Sequence, residues 1–252
     1  MIRVLVSGAT GAMGEVLIDL IKKSEDFKVS AGFSKEDKVC DEFTIYSDIK
    51  KIKEKSDVII DFSSKDSLDS ILSLALDKNI PLVIASTGFD DKDLEKIKKA
   101  SEKVPIVQSG NFSLGVNVMV YVSKLLSKLL DGFEIEIIEA HHNKKRDAPS
   151  GTANMLFDAV NEARDNKLSK LYGREGFSDS RNPNEVGIHS LRAGSINGDH
   201  EVVFAGLDEV VSISHHAQSK KIFAIGALKA AKYILDKENG LIDIKEILNI
   251  GE

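Results

Sequence analysis

One short stretch near the N-terminus constrains the fold more than any other. The run Ile2-Arg3-Val4-Leu5-Val6-Ser7 is rich in β-branched residues and breaks on Gly8-Ala9-Thr10-Gly11-Ala12-Met13-Gly14. Residues 15–23 resume with helical spacing at Val16, Leu17, Leu20 and Ile21. A strand, a glycine-rich turn and a helix in direct succession leave free N–H groups and a positive dipole end at the turn. Glycine is demanded where the backbone bends sharply, where it approaches a phosphate, and where helix and strand pack closely. A tight structural turn would select the same glycines, so the surrounding sequence has to decide.

That surrounding sequence is repetitive in kind. Residues 27–33, 58–62, 81–85 and 104–107 are short strand-like runs, with helix-like segments at 67–77 and 91–102 among them. Strands alternating with helices of this length predict parallel βαβ units with helices on both faces. The first half therefore reads as a Rossmann-type parallel sheet, its glycine turn holding a dinucleotide at Gly8, Ala9, Thr10, Gly11, Ala12 and Met13. An acid at the end of the second strand would accept hydrogen bonds from a ribose 2′-hydroxyl and repel a 2′-phosphate. Here that strand ends Gly32-Phe33-Ser34-Lys35, with no acid before Glu36. Ser34 and Lys35 thus predict that NADPH is used at least as well as NADH, although a lysine here also suits plain solvent exposure.

Beyond Asn111 the pattern changes. A helical stretch at 116–130 leads into 133–140, where Phe133, Ile135 and Ile137 alternate with glutamates and predict a strand with one buried and one wet face. Strands follow at 186–193, 201–205 and 210–215, the last two with no room for a helix between them. Segment 165–185 is polar and reads as a long mobile excursion, and 221–235 as a buried, alanine-rich helix. The expected architecture is α/β, with a dinucleotide-binding domain at 1–112 completed by the C-terminal helix at about 221–252. A second, α+β domain at 113–220, carrying a mixed sheet, would bind substrate and support oligomerisation, since a half-exposed sheet needs covering, for which another subunit is one candidate.

Composition narrows the class of partner. With 252 residues and a formal charge of −6, the chain lacks the basic excess of a general nucleic-acid binder. The single cysteine, Cys40, excludes an intrachain disulfide and a cysteine-based zinc site, so no metal is expected. No apolar run has the length to span a bilayer, and the first residues lack the layout of a signal peptide. A cytoplasmic protein with no membrane partner is the expectation.

On this acidic background one loop stands out. Glu139-Ala140-His141-His142-Asn143-Lys144-Lys145-Arg146-Asp147-Ala148-Pro149-Ser150-Gly151-Thr152 leaves the end of a strand with two histidines and three cations in six residues. Ser150, Gly151 and Thr152 then open a helix over 153–164, so a capped helix N-terminus faces whatever the loop holds. Two separate cationic features suit a small-molecule dicarboxylate, and histidine and lysine are common proton donors when a hydride adds to a polarised double bond. An exposed basic turn ending in a Pro-Ser-Gly corner fits the same residues.

The run His-His-x-x-Lys-x-Asp-Ala-Pro-Ser-Gly-Thr, His141 to Thr152, resembles the motif of dihydrodipicolinate reductase, an enzyme of diaminopimelate and lysine synthesis. The likeness spans the chain: Asp61-Phe62-Ser63-Ser64, Ser86-Thr87-Gly88-Phe89, Asn111-Phe112-Ser113, Arg192-Ala193-Gly194, Gly198-Asp199-His200 and Phe223-Ala224-Ile225-Gly226-Ala227 stand in the family's order. The resemblance implies reduction of the cyclic product of aspartate semialdehyde and pyruvate to tetrahydrodipicolinate, with NADPH or NADH delivering a hydride to ring C4. It implies His141 as proton donor or acceptor and Lys145 as donor to the reduced ring. His142, Ser150, Gly151 and Thr152 would bind the substrate carboxylates. Ala85, Ser86 and Thr87, with Ser109, Gly110, Asn111 and Phe112, would line the nicotinamide, and a homotetramer would assemble through the second domain's sheet. Two positions depart from many members: Ala85 replaces a glycine beside the cofactor, and Ser34 stands where an acid is common.

Other features carry less. His215 and His216 fall on opposite faces of a strand and read as structural, with one ring free to face the pocket, while His189 and His200 have no ligand cluster at metal spacing. Two Tyr-x-x-x-Lys matches, Tyr46–Lys50 and Tyr233–Lys237, are not placed to meet a nicotinamide. An imine-reducing amino-acid dehydrogenase and a dinucleotide sensor without turnover are the rival readings. The loop from His141 to Thr152 argues against both.

Overall fold

The computed structural model describes residues 1–177 and 180–248. Its elements run β1 (Ile2–Ser7), α1 (Ala12–Lys22), β2 (Phe27–Phe33), β3 (Lys38–Val39), β4 (Thr44–Tyr46), β5 (Val58–Asp61), α2 (Leu68–Lys78), β6 (Leu82–Ile84), α3 (Asp91–Ser101) and β7 (Pro105–Gln108). They continue α4 (Leu114–Leu129), β8 (Glu134–His141), α5 (Gly151–Glu162), β9 (Ser169–Tyr172), β10 (Glu185–Arg192), β11 (Asp199–Ala205), β12 (Val210–His216), α6 (Lys221–Ile234), β13 (Gly240–Ile242) and α7 (Ile244–Leu248). The chain divides into two compact units, one of Met1–Ser113 with the C-terminal segment from Lys220, the other of Leu114–Ser219.

The first unit is an eight-stranded sheet in the order β13-β7-β6-β5-β1-β2-β4-β3. Every ladder is parallel except the short β3–β4 pair. Its central strands are continuous apolar runs, Val58-Ile59-Ile60 and Leu82-Val83-Ile84 being fully buried, as a sheet covered on both faces requires. Leu17 and Ile21, one helical turn apart, pin α1 to one face beside Ala224, Ala227, Ala230 and Ala231 of α6. Ile71, Leu72, Ala75 and Ile97 of α2 and α3 cover the other face. The alanines let α6 lie close, and Gly226 closer still: a Cβ there would stand 1.8 Å from the Phe112 carbonyl oxygen.

The second unit is a five-stranded mixed sheet, β12-β11-β8-β10-β9. Strands β8, β10 and β9 run parallel, and β11 pairs antiparallel with both β8 and β12. Met119 of α4 and Leu156, Phe157 and Val160 of α5 bury Ile135, Ile137, Val186, Ile188, Val202 and Phe204 on one face.

One expectation changes. The segment 165–185 holds a strand of its own, β9, paired with β10 at Ser169–Tyr172. Arg174 and Arg181 tie the same segment to Glu136 and Glu185 at 2.8–3.4 Å. A polar composition hid these anchors because the partners lie in the neighbouring strands. Residues 178 and 179 of that segment, and 249–252 of the C-terminal one, lie outside the described residues.

Candidate active site

In the first unit the strand ends fall on one line. Ser7 pairs in register with Phe33 and with Asp61, Asp61 with Ile84, and Ile84 with Gln108. Every expected cofactor residue follows one of these ends: Gly8–Met13 after β1, Ser34 and Lys35 after β2, Ala85–Thr87 after β6, and Ser109–Phe112 after β7. Strand β1 lies between β2 and β5, so the connections depart in opposite directions on its two sides, the place where open α/β sheets form a crevice.

The glycine turn is built for close approach. Gly8 has φ +77°, and a Cβ there would come within 2.7 Å of the Phe62 carbonyl oxygen. A Cβ on Gly14 would come within 2.1 Å of the Gly8 carbonyl oxygen, which fixes how tightly α1 seats on β1. Gly11 is the N-cap of α1 and offers no side-chain cap, so the first turn keeps its N–H groups for another acceptor. Such a turn fits a dinucleotide pyrophosphate. Beside it the hydroxyls of Thr10 and Ser34 hydrogen-bond each other, and Lys35 is exposed.

Behind this edge the loops are fixed by buried polar contacts. Asp61, 2% exposed, accepts the Ser86 hydroxyl at 2.6 Å and the Ser63 backbone N–H at 3.2 Å. The Ser109 hydroxyl donates to the Asn111 carbonyl at 2.9 Å and accepts the Asn111 N–H at 3.2 Å. The Phe112 ring enters the core, while Thr87 and Gly110 stay on the surface.

In the second unit the chemistry gathers at the end of β8. The alternation Glu134-Ile135-Glu136-Ile137 reverses at the Ile137-Ile138 doublet, so the inward face continues into Glu139 and His141. Glu139 is fully buried. Arg192, paired in register with His141 from β10, clamps Glu139 through its two terminal guanidinium nitrogens at 2.9 and 2.8 Å. Glu139 also accepts the Ser150 N–H at 3.1 Å and lies 2.6 Å from His141 Nδ1. Burial pushes its carboxyl up, but hydrogen bonds from Arg192, Ser190 and His141 prevail and hold it down at about 2.

Ser150 caps α5, its hydroxyl accepting the Ala153 N–H at 3.1 Å, and it also touches His200 Nε2 at 3.0 Å. His200 is buried, edge-on to His141 with ring centroids 5.2 Å apart. Burial, reinforced by the neighbouring His141, pushes the His200 imidazole down to about 4, so it is neutral at physiological pH. Lys145 lies on Asp147, 2.8 Å from each carboxylate oxygen. His142 keeps its Nδ1 buried, and Gly151 and Thr152 open α5 beside Ser150.

Thus Glu139, His141, Ser150 and His200 form one connected group, to which sequence reasoning had assigned only His141 and Ser150. Arg192, His200 and Asp147 stood inside stretches of family likeness without a role. Glu139 stands two residues after Ile137, and that period-2 spacing was the signal that it faces inward. Among the described residues no group of three or more metal-type ligands is present.

A model of the dihydrodipicolinate reductase N-terminus matches residues 2–112, and one of its C-terminus matches residues 115–248. The chain belongs to the dihydrodipicolinate reductase family. A 4-hydroxy-tetrahydrodipicolinate reductase of Caldanaerobacter subterraneus subsp. tengcongensis is 45% identical over 251 residues, covering 100% of both chains. Another from Clostridium tetani is 41% identical over 99% of this chain and 98% of its own. The dihydrodipicolinate reductase of Paenisporosarcina sp. TG-14, solved with dipicolinate, shares the fold at a TM-score of 0.82 over 100% of both chains, with 23% identity. Dihydrodipicolinate reductases are oxidoreductases, and the chain is an enzyme of that class.

Proposed function

We propose that the protein reduces 4-hydroxy-tetrahydrodipicolinate to tetrahydrodipicolinate with NADPH or NADH: a hydride and a proton enter and water leaves. The observation that carries this reading is the group at the end of β8, where His141, Lys145 and the capped N-terminus of α5 share one loop. A cyclic dicarboxylate suits it. One carboxylate would take the N–H groups of Gly151 and Thr152 at the positive end of α5, with the Thr152 hydroxyl and Ser150 beside it. His142 would meet the other. The bound dinucleotide supplies the hydride. Lys145, oriented by Asp147, donates the proton to the reduced ring, and His141 gives or takes a second proton.

In the first unit, Gly8 to Met13 would hold the pyrophosphate, and Ala85 to Thr87 with Ser109 to Phe112 the nicotinamide side. NADPH is used at least as well as NADH, because the second strand ends in Ser34 and Lys35 with no acid to repel a 2′-phosphate. Exposed Leu191 and Val210 on β10 and β12 support assembly through the second unit's sheet into a homotetramer. We place the enzyme in the cytoplasm, where Cys40 stays reduced.

The test is binding of pyridine-2,6-dicarboxylate by calorimetry to the wild type and to Thr152→Val. Binding to the wild type, weakened about tenfold or more in the variant, is the expected result. Equal affinity in both proteins would remove Thr152 from the carboxylate site.

A further inference from the structure

We propose that Glu139 is the positioning residue of this site: its carboxylate takes the Nδ1–H of His141 and so leaves the lone pair of the neutral ring on Nε2. The inference rests on the reading of His141 as a proton-handling group. Arg192 holds Glu139 by two hydrogen bonds, and an ionised carboxylate has no proton to give. The 2.6 Å contact therefore has one possible donor, the ring nitrogen Nδ1. Nε2 points toward Gly198, where a Cβ would stand 3.1 Å away, so glycine leaves that nitrogen uncrowded.

The charged and titratable groups around the ring bear on the same point. Arg192 reaches Glu139 from β10, and His200 packs edge-on from β11 with Asp199 and, across on β12, His215 behind it. The Lys145–Asp147 pair lies in the loop that follows. Of these, Glu139 is the acceptor given to His141 Nδ1, and neutral His200 offers the ring no negative charge. A proton taken from solvent or substrate arrives at Nε2, giving an imidazolium whose Nδ1–H still rests on ionised Glu139. Its return by the same nitrogen restores the neutral tautomer. Glu139 is thus neither protonated nor consumed in the exchange.

A merely structural Glu139 would serve only to bind Arg192 and the Ser150 N–H. The two roles separate in the nitrogen NMR signals of His141, read without substrate at a pH where the ring is neutral. The wild type should show Nδ1 protonated and Nε2 bare, and Glu139→Leu should move the proton to Nε2. The same variant should lower kcat about a hundredfold while the KM for NADPH stays within about twofold. If Glu139→Leu does not fold, Glu139→Leu with Arg192→Met removes both charges together and carries the same readout. An unchanged His141 tautomer in whichever variant folds overturns the proposal. A changed tautomer in the variant, together with a wild type that reduces no substrate, would instead uphold the positioning and overturn the reaction assigned above.

Discussion

The Ser150 hydroxyl and the His200 imidazole meet at 3.0 Å, joining the N-terminus of α5 to the start of β11 in the second sheet. The same hydroxyl caps the helix, so one oxygen sets both where α5 begins and which way the His200 ring turns. Ser150→Ala should lose the cap, about 1 kcal/mol, and leave a buried imidazole nitrogen without a partner, about 1–3 kcal/mol more. Urea unfolding would show the combined loss. A change under about 0.5 kcal/mol would mean that neither bond matters to stability.

Acid should destabilise the enzyme in two steps. His200 is held near 4 in the fold against 6.5 unfolded, so the unfolded chain binds the proton first and stability falls as pH drops from 6.5 toward 4. This contributes on the order of 3 kcal/mol, lost on acidification and absent in His200→Gln. Glu139, held at about 2 against 4.5, adds a second loss as pH falls through that lower window. Parallel stability–pH curves for wild type and His200→Gln between pH 7 and about 4 would contradict the first step.

Removing one side of the buried ion pair should be severe. Arg192→Met leaves the fully buried Glu139 carboxylate without its guanidinium, a loss of about 3–5 kcal/mol. Thermal unfolding of Arg192→Met and of Arg192→Met with Glu139→Leu gives the check: the double variant should recover part of the loss. A single variant as stable as the wild type would show that solvent screens the pair.

The glycines of the first turn should separate folding from cofactor binding. Gly14→Ala sets a methyl 2.1 Å from the Gly8 carbonyl oxygen, and backbone must move, at about 2–3 kcal/mol. Gly11→Ala meets that oxygen at 3.2 Å and should fold with a loss of about 1 kcal/mol or less. Its methyl lies where a pyrophosphate would approach, so NADPH affinity, followed by fluorescence titration, should fall in Gly11→Ala although the fold survives. Full affinity there would place the phosphates elsewhere.

Much of this was legible in the sequence, for definable reasons. The first unit announces itself because buried parallel strands are written as unbroken apolar runs such as Val58-Ile59-Ile60, and because Gly8 and Gly14 occupy places no side chain fits. The loop from His141 to Thr152 is contiguous, so its candidate residues stand in one window. What escaped was set by pairings between distant strands. Arg192 and His200 reach Glu139 and Ser150 across 53 and 50 residues, and no local pattern encodes those contacts. Short β3, β4 and β13, of two or three residues, owe their form to neighbours rather than to their own periodicity.

The most direct test is the reaction itself: purified enzyme, freshly generated 4-hydroxy-tetrahydrodipicolinate and NADPH or NADH, followed by loss of reduced-cofactor absorbance. Turnover is expected with both cofactors, with kcat/KM for NADPH at least equal to that for NADH and a kcat lowered at least about a hundredfold in Lys145→Ala with NADPH affinity retained. No cofactor oxidation where a known reductase succeeds would contradict the assigned reaction. Preference for NADH by more than about tenfold would contradict the role given to Ser34 and Lys35.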